Sequence, residues 1–152
     1  MILSYYLLYE DLRRRNITVD FKNMLYNILD NTIVNKFHKV INKFNDLLNE
    51  FTETYEGDLW SCDDLALMLK ALCGLHNFTC GYCEGRVYMD NEFYGNHTFN
   101  VIPYYLTGNL IWLVVEPLLI GVGGYPWFSV LPESSRFVAL GKYIYEVTYI
   151  ML

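Results

Sequence analysis

The sequence is short of positive charge. Eleven lysines and arginines stand against 17 aspartates and glutamates, a net charge of -6, so attraction to nucleic-acid phosphate is not expected as a main activity. The one basic cluster, Arg13-Arg14-Arg15, lies beside Glu10 and Asp11 and is expected to form a solvated helix face or helix end. A long uncharged apolar run is also missing. Residues 1–9 are apolar and aromatic, but no basic flank precedes them and they stop at Glu10. They fit neither a secretory signal nor a membrane span, and the expectation is a cytoplasmic protein with no nucleic-acid or membrane partner. Cysteine is sparse, with four residues at positions 62, 73, 80 and 83. Without a signal these suit free thiols, ligands or a nucleophile better than a disulfide framework. No internal repeat or low-complexity linker interrupts the chain.

What the chain has in quantity is apolar residues. They make up 53% of 152 positions, which suffices for one core and gives no ground for two. Residues 1–152 are therefore expected to form a single domain, with a helical part over 1–56, a central part over 57–118 and further strands over 119–152. Residues 2–14 fit a short helix or a strand at their aromatic start, helix being the favoured reading. Asp20 is a candidate cap for a helix carrying Phe21, Met24, Leu25, Ile28 and Leu29. The clearest helical stripe is Ile33, Phe37, Val40, Ile41, Phe44, Leu47, Leu48 and Phe51, with His38 off it as a surface residue. A loop over 52–59 leads to a helix capped by Ser61 or Asp58 and stopped near Gly74. Beyond it, 78–89 and 98–105 have the composition and alternation of strands, and 110–116 is a continuous apolar run of strand length. Residues 121–127 read as a glycine-rich loop and 137–151 as one or two more strands around Gly141. Helices first and strands afterwards predict α+β with an antiparallel sheet.

Three residues in this order can build a nucleophile site. Cys62 falls in the first turn of its helix, where unsatisfied N–H groups and the helix dipole favour thiolate. His97 opens a predicted strand and can carry protons. Glu116 closes a buried strand just before Pro117 and can fix the imidazole's orientation. Asp63 and Asp64 suit the first turn of the helix through its dipole, a holding role rather than a chemical one.

The stretches Trp60-Ser-Cys62-Asp-Asp64-Leu-Ala66, Asn96-His97-Thr-Phe-Asn100-Val and Trp112-Leu-Val-Val-Glu116-Pro117 resemble the transglutaminase-like and papain-like cysteine peptidase superfamily. The nearest likeness is to its small members, many from phages and other viruses. The resemblance spans about 57–118. It implies a papain/transglutaminase-like α+β fold, with N-terminal helices and a catalytic helix packed on an antiparallel sheet. Cys62 would be the nucleophile, His97 the general base and acid, and Glu116 its orienting carboxylate. Asn100, Trp60 and Asp64 would support the site, and the backbone N–H of Cys62 would be one oxyanion donor. Thr98 departs from the small residue that usually follows the histidine. The implied activity is amide cleavage of a protein or peptide substrate through a thioester, hydrolysis rather than transamidation, with no cofactor and no catalytic metal.

Two other readings compete. Cys73, His76, Cys80 and Cys83 have the ligand types of a structural zinc site. A binding or assembly protein on the same fold would use the aromatic side chains of Tyr104, Tyr105, Tyr125, Trp127 and Phe128.

Overall fold

The computed structural model describes residues 1–54 and 61–152. Its N-terminal segment is a strand that turns into a helix, β1 (Ile2–Ser4) followed by α1 (Tyr5–Arg14). Leu8 and Leu12, one turn apart, are the buried face of α1. The three arginines do not form one solvated face. Arg13 and Arg14 are exposed, whereas Arg15 is buried. Its Nε donates to Asp11 at 3.0 Å, and its Nη1 donates to the carbonyls of Pro132 at 2.6 Å and Ser135 at 2.7 Å. The indole N–H of Trp112 donates to the same Asp11 carboxylate at 2.7 Å, so the buried charge is paired on several sides. Arg15 fastens α1 to a loop more than a hundred residues later.

The helix predicted over 21–29 is absent. Its place is taken by the short strands β2 (Thr18–Asp20), β3 (Leu25–Asn27) and β4 (Leu29–Asp30). Two local features break the helix. The N–H groups of Lys22 and Asn23 donate to the Tyr26 hydroxyl at 3.0 and 2.9 Å, and the Asp30 carboxylate accepts from the backbone of Thr32 at 2.8 Å. Tertiary pairing supplies the rest, because β3 runs antiparallel to β1 while Leu29 and Asp30 lie parallel to Tyr104 and Tyr105. Tyr26 and Ile28 enter one apolar cluster and Leu29 the other, an alternation that a helical stripe cannot produce.

The two long helices follow the sequence pattern closely. Helix α2 (Val34–Thr54) buries Phe37, Val40 and Phe44, and α3 (Cys62–Leu75) buries Leu65, Ala66, Leu69, Leu72 and Cys73. Gly74 does not stop α3. The helix ends one residue later, and Asn77 takes the left-handed conformation at φ 59 that reverses the chain.

The remaining strands are β5 (Gly81–Met89), β6 (Glu92–Leu106), β7 (Asn109–Val115), β8 (Phe128–Val130), β9 (Phe137–Leu140) and β10 (Tyr143–Met151). They form a mixed, mostly antiparallel sheet in the order β2-β10-β5-β6-β7-β8, with β9 also on β10 and β4 on β6. Only β2 and β4 join it in parallel. The protein is thus α+β, with helices and an essentially antiparallel sheet. One face carries Phe99, Val101, Trp112, Val114, Tyr145 and Val147 together with Leu8 and Leu12 of α1. The other carries Ile102, Leu113 and Val115 against α2 and α3. Strand β7 ends at Val115, opposite Asn100. Residues 97–99 of β6 therefore lack a ladder partner on that edge, and a 3-10 turn over Pro117–Leu119 carries the chain away beside α3.

Candidate active site

Cys62 is the first residue of α3, and its place is fixed by the residue before it. Ser61 accepts a hydrogen bond from the backbone N–H of Asp64 at 3.3 Å, and the Asp64 carboxylate accepts from the backbone N–H of Ser61 at 3.2 Å. This reciprocal cap satisfies two donors that the first turn leaves open. The thiol is half-buried. Burial alone would raise its pKa, but the hydroxyl and the backbone N–H of Thr98, then the charge and hydrogen-bonding of His97, outweigh burial and lower it below the usual thiol range. The Thr98 N–H belongs to the stretch of β6 that β7 no longer covers.

His97 is held from its far side. Glu116 Oε1 lies 2.5 Å from Nε2 and also accepts the Tyr145 hydroxyl at 2.9 Å. With Nε2 engaged, Nδ1 is the ring nitrogen left for the thiol. Burial would lower the pKa of His97, but Glu116 and then Cys62 raise it above the ordinary histidine value. Phe99 stacks on the ring at 6.1 Å between centroids and Tyr145 meets it edge-on at 6.0 Å. Glu116 is 4% exposed, and its second oxygen, Oε2, has no hydrogen-bond partner among the described residues. A carboxylate held that dry favours a cationic neighbour. Tyr145 feels the same environment, and burial followed by the Glu116 charge pushes its phenol well above the usual range.

The sequence-predicted residues divide as follows. Cys62, His97 and Glu116 come together: His97 interacts with the thiol and, through Nε2, with the carboxylate, and Cys62 and His97 line one recess. Asn100 does not share the strand face of His97. It is fully buried on the α3 side, where Nδ2 donates to the carbonyls of Ala66 at 2.9 Å and Gly81 at 3.1 Å and makes a longer contact to Cys80 Sγ at 3.5 Å. It braces the helix against the sheet rather than lining the site. Asp64 caps the helix, and Trp60 and Asp58 lie outside the described residues. The zinc reading loses its geometry: Cys73 and Cys80 sit in the cluster beneath α3, Cys83 in the cluster on the other face. His76 uses Nδ1 on the Leu72 carbonyl at 3.0 Å, and among the described residues no three His, Cys, Asp or Glu side chains converge as metal ligands. Of the aromatic residues proposed for an interface, Tyr125 and Phe128 are exposed, whereas Trp127 packs on Phe37 and Phe128.

Three contributors were not singled out from the sequence. Thr98 stood out there only as a departure, yet its hydroxyl donates to Asp63 Oδ1 at 2.7 Å and faces the thiol. Asp63, paired with Asp64 in the sequence argument, separates from it: Oδ1 also accepts from Tyr82 at 3.4 Å and lies 3.9 Å from Cys62 Sγ. Tyr145 is one tyrosine among 14, and only the pairing of β10 with β5 brings it to Glu116. Among the described residues no helix is long and apolar enough to cross a membrane. No family model matches the chain, and no curated protein does.

Proposed function

We propose that the protein is a thiol-dependent hydrolase of amide bonds, built on the papain/transglutaminase plan, with Cys62, His97 and Glu116 as its catalytic residues. The observation that carries this reading is the polarisation of the row. One imidazole has a carboxylate at 2.5 Å on Nε2 and interacts with a thiol of lowered pKa, with which it lines one recess. The chemistry then follows from the geometry. The Cys62 thiolate attacks the amide carbonyl carbon, and the carbonyl π electrons move to oxygen. The backbone N–H of Cys62, at the first position of α3, is the donor proposed to meet that developing charge. Collapse of the adduct breaks the C–N bond as His97 gives its Nδ1 proton to the departing amine, leaving a thioester. His97 then takes a proton from water, whose oxygen attacks the thioester carbonyl, and the thiolate leaves with the imidazolium restored. Glu116 keeps the ring in one orientation through both half-reactions.

A thiol-directed fluorescent probe tests this directly. Cys62 should label fast at neutral pH, while buried Cys73 and Cys83, whose pKa values burial pushes well above the usual range, and buried Cys80 should stay unlabelled in the folded protein. Replacement of His97 by Ala should abolish the fast phase. Equal labelling of all four thiols, or fast labelling that survives loss of His97, would refute the proposal.

A further inference from the structure

We infer that the substrate is a polypeptide segment with an apolar or aromatic side chain on one side of the scissile bond and a basic side chain on the other. This rests on the hydrolase reading above. Two recesses of about 400 Å³ each meet at Asn96 and His97, which line both. A chain laid across His97 with its carbonyl at Cys62 must place neighbouring residues toward each.

The two recesses differ in chemistry. One is walled by Val87, Tyr94, Leu118, Leu119, Tyr143 and Tyr145. Its charged walls are Glu116 and His97, already engaged with each other, and Glu116 also with Tyr145. Such a surface accepts hydrocarbon or an aromatic ring and offers an incoming polar group little in return. The other is lined by Cys62, Asp63, Glu84, Arg86, Thr98 and Thr148. Arg86 is half-exposed, and it faces the buried Glu146 at 3.5 Å, which also holds Arg136 at 3.1 Å. That group therefore carries one residual positive charge, against the two carboxylates of Asp63 and Glu84. Asp63 is occupied by Thr98 and Tyr82. Glu84 is exposed, and its carboxylate makes no hydrogen bond or ion pair among the described residues. It is the group positioned to meet a lysine or arginine side chain, and the chain's net charge of -6 favours the approach of such a segment.

The test uses short fluorescent peptides that pair Leu with Lys, Gln or Glu across one amide, in both orders. Cleavage is followed with the wild-type protein and binding with the Cys62→Ala protein by anisotropy. Lys peptides should be cleaved and bound about tenfold better than Glu peptides, and Glu84→Arg should reverse that order. Leu118→Ser should weaken every Leu peptide while leaving the Lys-to-Glu ratio unchanged. Equal treatment of Lys and Glu peptides, or a preference that survives Glu84→Arg, overturns the inference. Selective binding without cleavage upholds it and overturns the hydrolase reading. Cleavage at Cys62 without selectivity does the opposite, and neither binding nor cleavage overturns both.

Discussion

Replacing Glu116 with Gln isolates the charge behind the imidazole, because glutamine keeps the volume and one acceptor oxygen. In the native site Glu116 Oε1 takes His97 Nε2 at 2.5 Å and the Tyr145 hydroxyl at 2.9 Å, in surroundings that leave the carboxylate 4% exposed. A hydrogen bond to a charged group contributes about 1.5–3 kcal/mol, a neutral one about 0.5–1.5. The difference, roughly 1–2 kcal/mol, favours imidazolium over imidazole and corresponds to about 5- to 30-fold in their ratio. The thiolate that this imidazolium supports should decline with it. Alkylation of Cys62 by iodoacetamide at pH 7 is expected to slow by about that factor, and the rate should recover only at higher pH, where the thiol ionises unaided. Stability should follow the same sign. His97 has a raised pKa in the fold, so its contribution is fully present below the ordinary histidine value of about 6.5 and is lost as pH rises through the raised one. Urea unfolding should therefore show Glu116→Gln losing more stability at pH 6 than at pH 9. An alkylation profile that coincides with the native one would refute the assignment of Glu116 to the imidazole.

The other predictions concern the frame. Asn100→Leu leaves the buried carbonyls of Ala66 and Gly81 without their donor and should cost about 2–4 kcal/mol by urea unfolding, with Cys62 still labelling fast in the folded fraction. Ser61→Ala removes the cap that sets Cys62 at the first helical position. It should cost about 1 kcal/mol and reduce the labelling contrast between Cys62 and the buried thiols. At Gly85, paired with His97 in the ladder, an added Cβ would lie 2.0 Å from the Glu146 carbonyl oxygen and 3.0 Å from Phe99. Gly85→Ala should lose the near-ultraviolet circular dichroism of the aromatic cluster around His97.

Helix α2 was legible because its apolar residues recur at helical spacing over about five turns, and α3 because a shorter stripe of about two turns follows a clear N-cap. The strand carrying His97 was legible from its alternating β-branched and aromatic residues, although it begins at Glu92. The one leading to Glu116 was legible from its continuous apolar run, although β7 ends at Val115 and Glu116 caps the turn after it. Residues 21–29 misled for the opposite reason. Their apolar residues satisfy a helical stripe, but the backbone partners that make them strands come from β1 and β6, which no local pattern announces. Arg15 misled in the same way: its acceptors belong to residues 132 and 135. Within the site, the thiol, imidazole and carboxylate could be proposed from residue type and order. Thr98, Asp63 and Tyr145 could not, since their roles come from which strand edge is open and which strand lies beside β5. Asn100 was expected to support the site, and the alternation of β6 puts it on the face opposite His97, against α3.

Strand β10 determines when the surroundings of Cys62 and His97 are complete. It pairs with β2, β5 and β9, and it delivers Tyr145 to the carboxylate behind the imidazole. During synthesis the thiol at position 62 and the imidazole at position 97 are both made long before it, and neither has its full surroundings until residues 143–151 join the sheet. Pairings of such long sequence separation form late in folding. A growing chain therefore carries the parts of a thiol centre in unassembled form. On the proposed reading, the tuned nucleophile would be complete only once β10 has joined the sheet.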